Sequence, residues 1–165
     1  MNRKTLLEGA VFVLALAVVG GVWAWWPTPA PAQPINFSHK LHRDQKMDCI
    51  DCHQTADKSR SAGLPTANLC MTCHQAIKFD SPEVKKIGEF RDRSRPIPWV
   101  RLYQLPDFVY FNHMRHVKSG IACATCHGST GAVPVSRAER DFTMAFCTDC
   151  HEARGASTDC ATCHK

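Results

Sequence analysis

The pattern of apolar and polar positions divides the chain into two unequal parts. Residues 9–26 form an uncharged run of 18 residues, 15 of them apolar, and this length is close to the ~20 residues of a membrane-spanning helix. Over the 139 residues that follow, only 45 carry apolar side chains other than cysteine, which excludes a protein core of normal size. In that part we expect short helices and irregular segments, with little or no sheet.

The cysteines indicate what replaces the missing core. All ten fall into five C-x-x-C-H motifs. This spacing is the attachment signal of c-type haem, in which two thiols bind one porphyrin and the adjacent histidine binds the iron. Zinc sites, disulfide frameworks and thioredoxin-like pairs also use paired cysteines, but they leave five adjacent histidines unexplained.

We therefore predict a multihaem cytochrome c with one N-terminal transmembrane helix. The rest of the chain is expected to be mostly irregular with short α-helices, and to pack around five covalently bound haem c groups. The predicted attachment residues are Cys49, Cys52, Cys70, Cys73, Cys123, Cys126, Cys147, Cys150, Cys160 and Cys163. The predicted proximal iron ligands are His53, His74, His127, His151 and His164.

An internal repeat accounts for the remaining histidines. The pattern F-x-H-x-x-H at residues 37–42 recurs at residues 111–116, and the first haem motif recurs as the third at the same offset of 74 residues. The chain is thus a duplicated two-haem unit followed by a fifth motif. Because histidine serves as an axial haem ligand, we predict distal ligands in this pattern. They are His39, His42, His113 and His116, and the alternative is that these four have no ligand role.

Four distal histidines cannot serve five irons, so one haem needs another ligand or has an open position. Met144 lies three residues before Cys147, and its counterpart in the first repeat is Ala67. We predict Met144 as the sixth ligand, with Met114 as the second choice. The alternative is that Met144 packs on a porphyrin face.

The start of the chain predicts a membrane anchor. Arg3 and Lys4 precede the apolar run, so the positive-inside rule places the N-terminus in the cytoplasm and the haem domain in the periplasm of a bacterial inner membrane. Three tryptophans at the far end of the run fit an interfacial aromatic belt. The alternative is a cleaved signal peptide with a cleavage site at residues 30–32, but the run is longer than a usual signal-peptide core.

These features divide the chain into five segments. They are a cytoplasmic segment (1–8), the anchor (9–26), a Pro-rich linker (27–36), the first dihaem repeat with its connecting segment (37–110), and the second repeat with the fifth haem (111–165). Within the connecting segment, Ser81 and Pro82 predict the start of a helix that runs to about Arg93, and residues 95–98 are expected to be extended. The aromatic residues of 99–111 are expected to cover haems, or alternatively to form a partner surface.

The formal charge is +5, from 20 Lys and Arg against 15 Asp and Glu. Five haems add about ten propionate charges, which brings the holoprotein to about −5. The basic balance of the polypeptide therefore predicts no nucleic-acid partner.

The combination of F-x-H-x-x-H with C-x-x-C-H resembles the class III multihaem cytochromes c. Residues 68–75, 96–101, 105–113, 142–147 and 157–160 are similar to the pentahaem, membrane-anchored cytochrome subunit of alternative complex III. In that family a Gly-Trp pair follows the methionine before the fourth motif, whereas Ala145 and Phe146 stand here. The resemblance implies a quinol:electron acceptor oxidoreductase with a polytopic quinone-binding subunit and an iron–sulfur subunit as partners, and a downstream cytochrome or oxidase as acceptor.

The function predicted from these features is a non-catalytic electron-transfer subunit that relays electrons from a quinol-oxidising membrane complex. The alternative is a self-sufficient quinol dehydrogenase that feeds a periplasmic reductase. A reductase with one open haem is a third class, supported only by the unmatched fifth iron.

Overall fold

The computed structural model describes residues 2–25, 31–129 and 138–165, and the chain forms two compact units, 1–30 and 31–165. The first unit contains helix α1 (Arg3–Ala24). Its stretch Leu7–Ala24 is long and apolar enough to cross a membrane, although a signal sequence would have the same properties.

Helix α1 begins earlier than the predicted anchor, which starts at residue 9. The residues before the anchor include Arg, Lys, Leu and Glu, which have high helix propensity and extend the helix toward the N-terminus. The end of the predicted anchor, Trp26, and residues 27–30 of the predicted linker lie outside the described residues.

The second unit consists of eight short described helices joined by irregular segments. They are α2 (His39–Asp44), α3 (Cys49–Cys52), α4 (Ala67–His74), α5 (Pro82–Asp92), α6 (His113–Lys118), α7 (Cys123–His127), α8 (Met144–Ala153) and α9 (Cys160–Cys163). No strand occurs in the described residues, where one isolated antiparallel bridge joins Val109 and His164. The prediction of short helices without a sheet is confirmed, and every C-x-x-C pair lies on a helix.

Matched N-caps show that the sequence repeat is also a structural repeat. The side chains of Ser38 and Asn112 accept backbone hydrogen bonds at the starts of α2 and α6. Thr66 and Thr143 do the same for α4 and α8, each at 3.2 Å. Small polar caps satisfy N–H groups that have no partner inside the helix. The caps therefore fix where the histidine-bearing and cysteine-bearing helices begin in each repeat.

The connecting segment folds as predicted around α5. Ser81 is the N-cap residue and Pro82 is the first helical residue, and the helix ends at Asp92, close to the predicted end. Residues 95–100 that follow are irregular.

The protein core is small and local. Among the described residues, the buried apolar side chains are Ile35, Ala56, Ala67, Val84, Ile87 and Ile97. Ile35, Ala67, Ile87 and Ile97 form one cluster, and Cys70 and Met71 of α4 pack against it together with Phe37, Phe90 and Trp99. Two hydrogen bonds between the side chain of Gln33 and the backbone of Val100 join the segment before α2 to the segment after α5. The cluster therefore supports the second haem motif and the segment that leads into α2.

Replacing Ile87 by alanine removes a side chain that is 6% exposed and leaves a cavity in this cluster. We expect the free energy of unfolding to fall by about 2–5 kcal/mol. Ile77→Ala makes the same truncation at a side chain that is 59% exposed, and we expect a change of less than about 0.5 kcal/mol. Denaturant unfolding of the holoprotein, followed by circular dichroism, measures both variants. Equal destabilisation by the two would contradict this assignment of the core.

Candidate haem sites

The cysteine pairs have the arrangement that covalent haem attachment needs. All ten thiols are free, and each residue is half-buried or exposed. Within a motif the two cysteines are three residues apart on a helix, which places them on the same face. In the described part of the chain, no three or more His, Cys, Asp or Glu side chains gather closely enough to hold a metal ion. Two open thiols and one adjacent imidazole per motif fit haem c and do not fit a four-ligand zinc site.

Each predicted distal histidine lies opposite one proximal histidine. The ring centroids are 6.5 Å apart for His39 and His53, 6.0 Å for His42 and His74, 6.3 Å for His113 and His127, and 6.0 Å for His116 and His151. A metal–imidazole bond is about 2 Å long and the ring centre lies about 1 Å beyond the nitrogen, so two imidazoles on opposite sides of one iron have centroids about 6 Å apart. The four separations therefore fit four sites with two histidine ligands each.

The orientation of six of these rings is fixed by one kind of hydrogen bond. In each, Nδ1 lies 2.7–3.0 Å from a backbone carbonyl oxygen. Because a carbonyl can only accept, Nδ1 carries the proton and Nε2 keeps its lone pair for a metal. The pairs are His42 with Ser38, His53 with Gly63, His74 with Ile77, His113 with Arg60, His116 with Asn112, and His151 with Ser157.

The carbonyl that holds His53 depends on a glycine. Gly63 has φ +74°, and a Cβ at this position would lie 2.8 Å from Oγ1 of Thr55. A side chain there would be strained by its backbone conformation and would also crowd Thr55. Glycine is therefore the residue that lets this loop turn back to the first motif.

A phenylalanine packs against both distal histidines of each repeat. Phe37 stacks on His42 at a centroid distance of 4.5 Å and meets His39 edge-on at 4.9 Å. In the second repeat, Phe111 makes the same ring contacts, with centroid distances of 4.5 Å to His116 and 4.7 Å to His113. These contacts give a physical reason for the phenylalanine in F-x-H-x-x-H, since it restricts the positions of both imidazoles.

Burial keeps two of the facing imidazoles neutral. Burial, followed by the neighbouring His53 and His42, lowers the pKa of His39. Burial also lowers the pKa of His127, with smaller contributions from His113 and His53. Removing an imidazolium from water disfavours its charged form, and a metal requires the unprotonated nitrogen of the neutral form.

The thiols show which motifs are neighbours. Burial raises the pKa of Cys49, and the adjacent Cys123 raises it further, in part through a hydrogen bond. Burial also raises the pKa of three other thiols, and in each case a thiol of another motif raises it further. The pairs are Cys52 with Cys73, Cys126 with Cys150, and Cys147 with Cys163. These contacts place the first motif beside the second and the third, and the fourth motif beside the third and the fifth.

The fifth motif has different surroundings. The ring of His164 has the ring of Phe108 next to it, with centroids 5.7 Å apart. Backbone pairing holds the motif, because Tyr110 N donates to the carbonyl of Cys163 at 2.7 Å and Val109 forms the isolated bridge with His164. Phenylalanine has no donor atom for a metal, so the contact with Phe108 supplies no ligand for this iron.

The predicted sixth ligand, Met144, is an exposed residue. This residue begins α8 and its side chain is 68% exposed. Its backbone carbonyl accepts a hydrogen bond from Oγ1 of Thr148 at 3.2 Å. Ligation of the fifth iron by Met144 stays a prediction.

Three residues outside the histidine and cysteine motifs contribute to the third site. Tyr103 and Phe142 contact His127 at centroid distances of 5.1 and 5.9 Å and lie 4.9 Å from each other. Tyr103 belongs to the aromatic stretch that was expected to cover haems, whereas Phe142 has no characteristic spacing. Arg60 supplies the carbonyl for His113 across 53 residues, and only the folded chain reveals this contact.

Five two-thiol motifs with adjacent imidazoles, four of which face a second imidazole, define the molecule as a multihaem c-type cytochrome. The model of the class III cytochrome c family matches residues 27–94, and that of cytochrome c7 and related cytochromes c matches residues 109–165. The chain is therefore similar to class III cytochromes c in its first part and to cytochromes c7 in its second part.

A curated relative extends this likeness over most of the chain. The chain is 33% identical over 133 residues to the multiheme cytochrome c subunit of menaquinone reductase from Nitratidesulfovibrio vulgaris (strain Hildenborough). The match covers 76% of this chain and 62% of the relative, so the chain spans less than two thirds of the relative's length.

Haem counting tests the assignment of the motifs. We expect the purified wild-type protein to carry five covalent haems, by pyridine haemochrome assay and by intact mass. The double variant Cys160→Ala with Cys163→Ala removes both thioethers of the fifth motif, so we expect four haems. A wild type with four haems, or a double variant that still carries five, would contradict the assignment.

Proposed function

We propose that the chain is a membrane-anchored pentahaem cytochrome c that relays electrons between a quinone-linked membrane complex and a second redox partner. It acts as a non-catalytic electron-transfer subunit. When bound, haem c supplies one-electron redox chemistry whose potential is set by its axial ligands and surroundings. The polypeptide attaches, orients and separates these groups.

The observation that carries this proposal is the set of four facing imidazole pairs. Two histidine ligands occupy both axial positions of an iron, which favours electron transfer over the binding of a substrate. The carbonyl-bound Nδ1 atoms and the stacked Phe37 and Phe111 hold the ligands in place. Covalent attachment in one spatial series of motifs fits a relay.

We assign the segments as the sequence predicts. Residues 9–26 are the anchor in the bacterial inner membrane, residues 27–36 are the linker, and the repeats 37–110 and 111–165 form the haem domain in the periplasm. The support is the exposed, apolar stretch Leu7–Ala24, which is long enough to span a membrane, together with the basic residues before it. The cleaved signal peptide is the alternative for this segment.

The proposed partners are a polytopic quinone-binding subunit and an iron–sulfur subunit, with a downstream cytochrome or oxidase as acceptor. The support is the resemblance to the cytochrome subunit of alternative complex III and a relative that is named as a subunit of menaquinone reductase. The resemblance favours electrons leaving the quinone pool. The relative's name favours the second candidate, in which electrons pass through the chain toward menaquinone.

Purification from native membranes in mild detergent, followed by mass spectrometry, tests the partners. We expect a polytopic membrane protein and an iron–sulfur protein to accompany the tagged chain. Recovery with only a soluble periplasmic reductase would favour the self-sufficient quinol dehydrogenase instead. A potentiometric titration of the haems in the isolated complex distinguishes the two directions. Haem potentials above that of the menaquinone couple favour electrons leaving the quinone pool, and potentials below it favour electrons passing toward menaquinone.

The ligand assignment has its own test in His113→Ala. The thioethers of the third motif are untouched, so we expect five haems, one of which changes from low spin to high spin. We also expect one additional haem per protein to bind carbon monoxide in the ferrous state. Arg115→Ala, two residues away on the same helix, is the control and should leave the spectra unchanged. Unchanged low-spin spectra in His113→Ala would remove His113 from the ligand set.

A further inference from the structure

The loop that follows the first motif crosses to the histidine helix of the second repeat. The carbonyl of Ser59 accepts a hydrogen bond from Met114 N at 3.0 Å, and the carbonyl of Arg60 accepts one from His113 N at 3.1 Å. The Arg60 carbonyl also accepts from Nδ1 of His113 at 3.0 Å. One residue of the first repeat therefore holds both the backbone and the ring of a predicted ligand in the second.

The side chain of Arg60 makes hydrogen bonds to residues 109–111, which lead into α6. Its Nε donates to the carbonyl of Phe111 at 3.1 Å, and an Nη donates to the carbonyl of Val109 at 3.5 Å. The guanidinium carbon lies 4.1 Å from the ring centroid of Tyr110, which lies between those two residues. A planar guanidinium can donate from two of its nitrogens in fixed directions while its flat face stacks on an aromatic ring, and the compact ammonium group of lysine has neither the fixed fork nor the flat face.

We propose that Arg60 is a positioning residue for His113 as an axial ligand. This inference rests on the proposed function, because it takes His113 as a ligand of the third haem. The guanidinium fixes residues 109–111 against the loop, and this contact holds the Arg60 carbonyl in line with Nδ1 of His113. The hydrogen bond at Nδ1 sets the tautomer and the rotation of the ring, and both determine how Nε2 would meet the iron.

The repeat makes this contact specific to one site. In the first repeat, the residue equivalent to Tyr110 is Asn36, whose backbone N–H instead donates a hydrogen bond to the carboxylate of Glu83 at 2.8 Å. The two histidine helices are thus held from outside by different side chains, a cation in one case and an anion in the other. A change at Arg60 should therefore have its largest effect at the third haem, because His113 is the predicted ligand whose ring bonds to the Arg60 carbonyl.

The experiment uses the full-length holoprotein in detergent. Arg60→Ala is compared with Arg60→Lys and with Arg93→Ala, a control that removes one positive charge from an exposed site at the end of α5. The readouts are haem content, electron paramagnetic resonance of the ferric protein, and near-infrared ligand-field bands. We expect five haems in all three variants and an altered or broadened low-spin signal of one haem in Arg60→Ala.

Arg60→Lys separates positioning from charge and also serves if Arg60→Ala fails to assemble. Lysine keeps the positive charge but lacks the rigid planar fork and the flat face that stacks on the ring, so we expect the same signal to change, by a smaller amount. Arg93→Ala should match wild type. A wild-type spectrum in Arg60→Ala, or in Arg60→Lys where the alanine variant does not assemble, would overturn the proposal. Failure of the proposed function is distinguishable, since His113→Ala would then leave the low-spin spectrum unchanged.

Discussion

The hydrogen bond from an imidazole Nδ1 to a backbone carbonyl is the interaction on which the haem sites depend. Six histidines make it, at distances of 2.7–3.0 Å, and each bond leaves Nε2 free to bind a metal. The accepting carbonyls belong to helix caps, to tight turns such as Gly63, and to the crossing loop at Arg60. Segments without regular secondary structure therefore help to orient the imidazoles, because they place carbonyl groups next to the Nδ1 atoms.

This arrangement explains how so small a protein core can suffice. The buried cluster around Ile87 packs beneath α4 and the segment before α2, and the other motifs lack a comparable cluster among the described residues. Elsewhere the order comes from helix caps, ring stacking and backbone hydrogen bonds. Covalently held porphyrins would add large apolar surfaces between the facing imidazoles, where burial already lowers the pKa of His39 and His127.

The sequence predicted the features that are local in the chain. The short helices at the motifs, the start of α5 at Pro82, and the absence of a sheet from the described residues follow from spacing, caps and composition. The pairing of His39 with His53 or of His113 with His127 could not be derived, because spacing identifies candidate ligands but not which ring each one faces. The role of Arg60 could not be predicted for the same reason, because its contacts span about fifty residues and leave no periodic pattern in the sequence.

The fifth motif lies outside the duplicated two-haem unit and therefore lacks a histidine supplied by the repeat. Each repeat supplies two motifs and the two histidines that face them, so a motif added after the second repeat has no facing histidine of its own. The chain attaches it by different means, with Tyr110 N bonded to the carbonyl of Cys163 and Val109 paired with His164. The same short segment, residues 109–111, receives the side chain of Arg60 and leads into α6. That segment therefore ties the first repeat, the second repeat and the added motif together, and its backbone carries contacts that the repeat pattern does not encode.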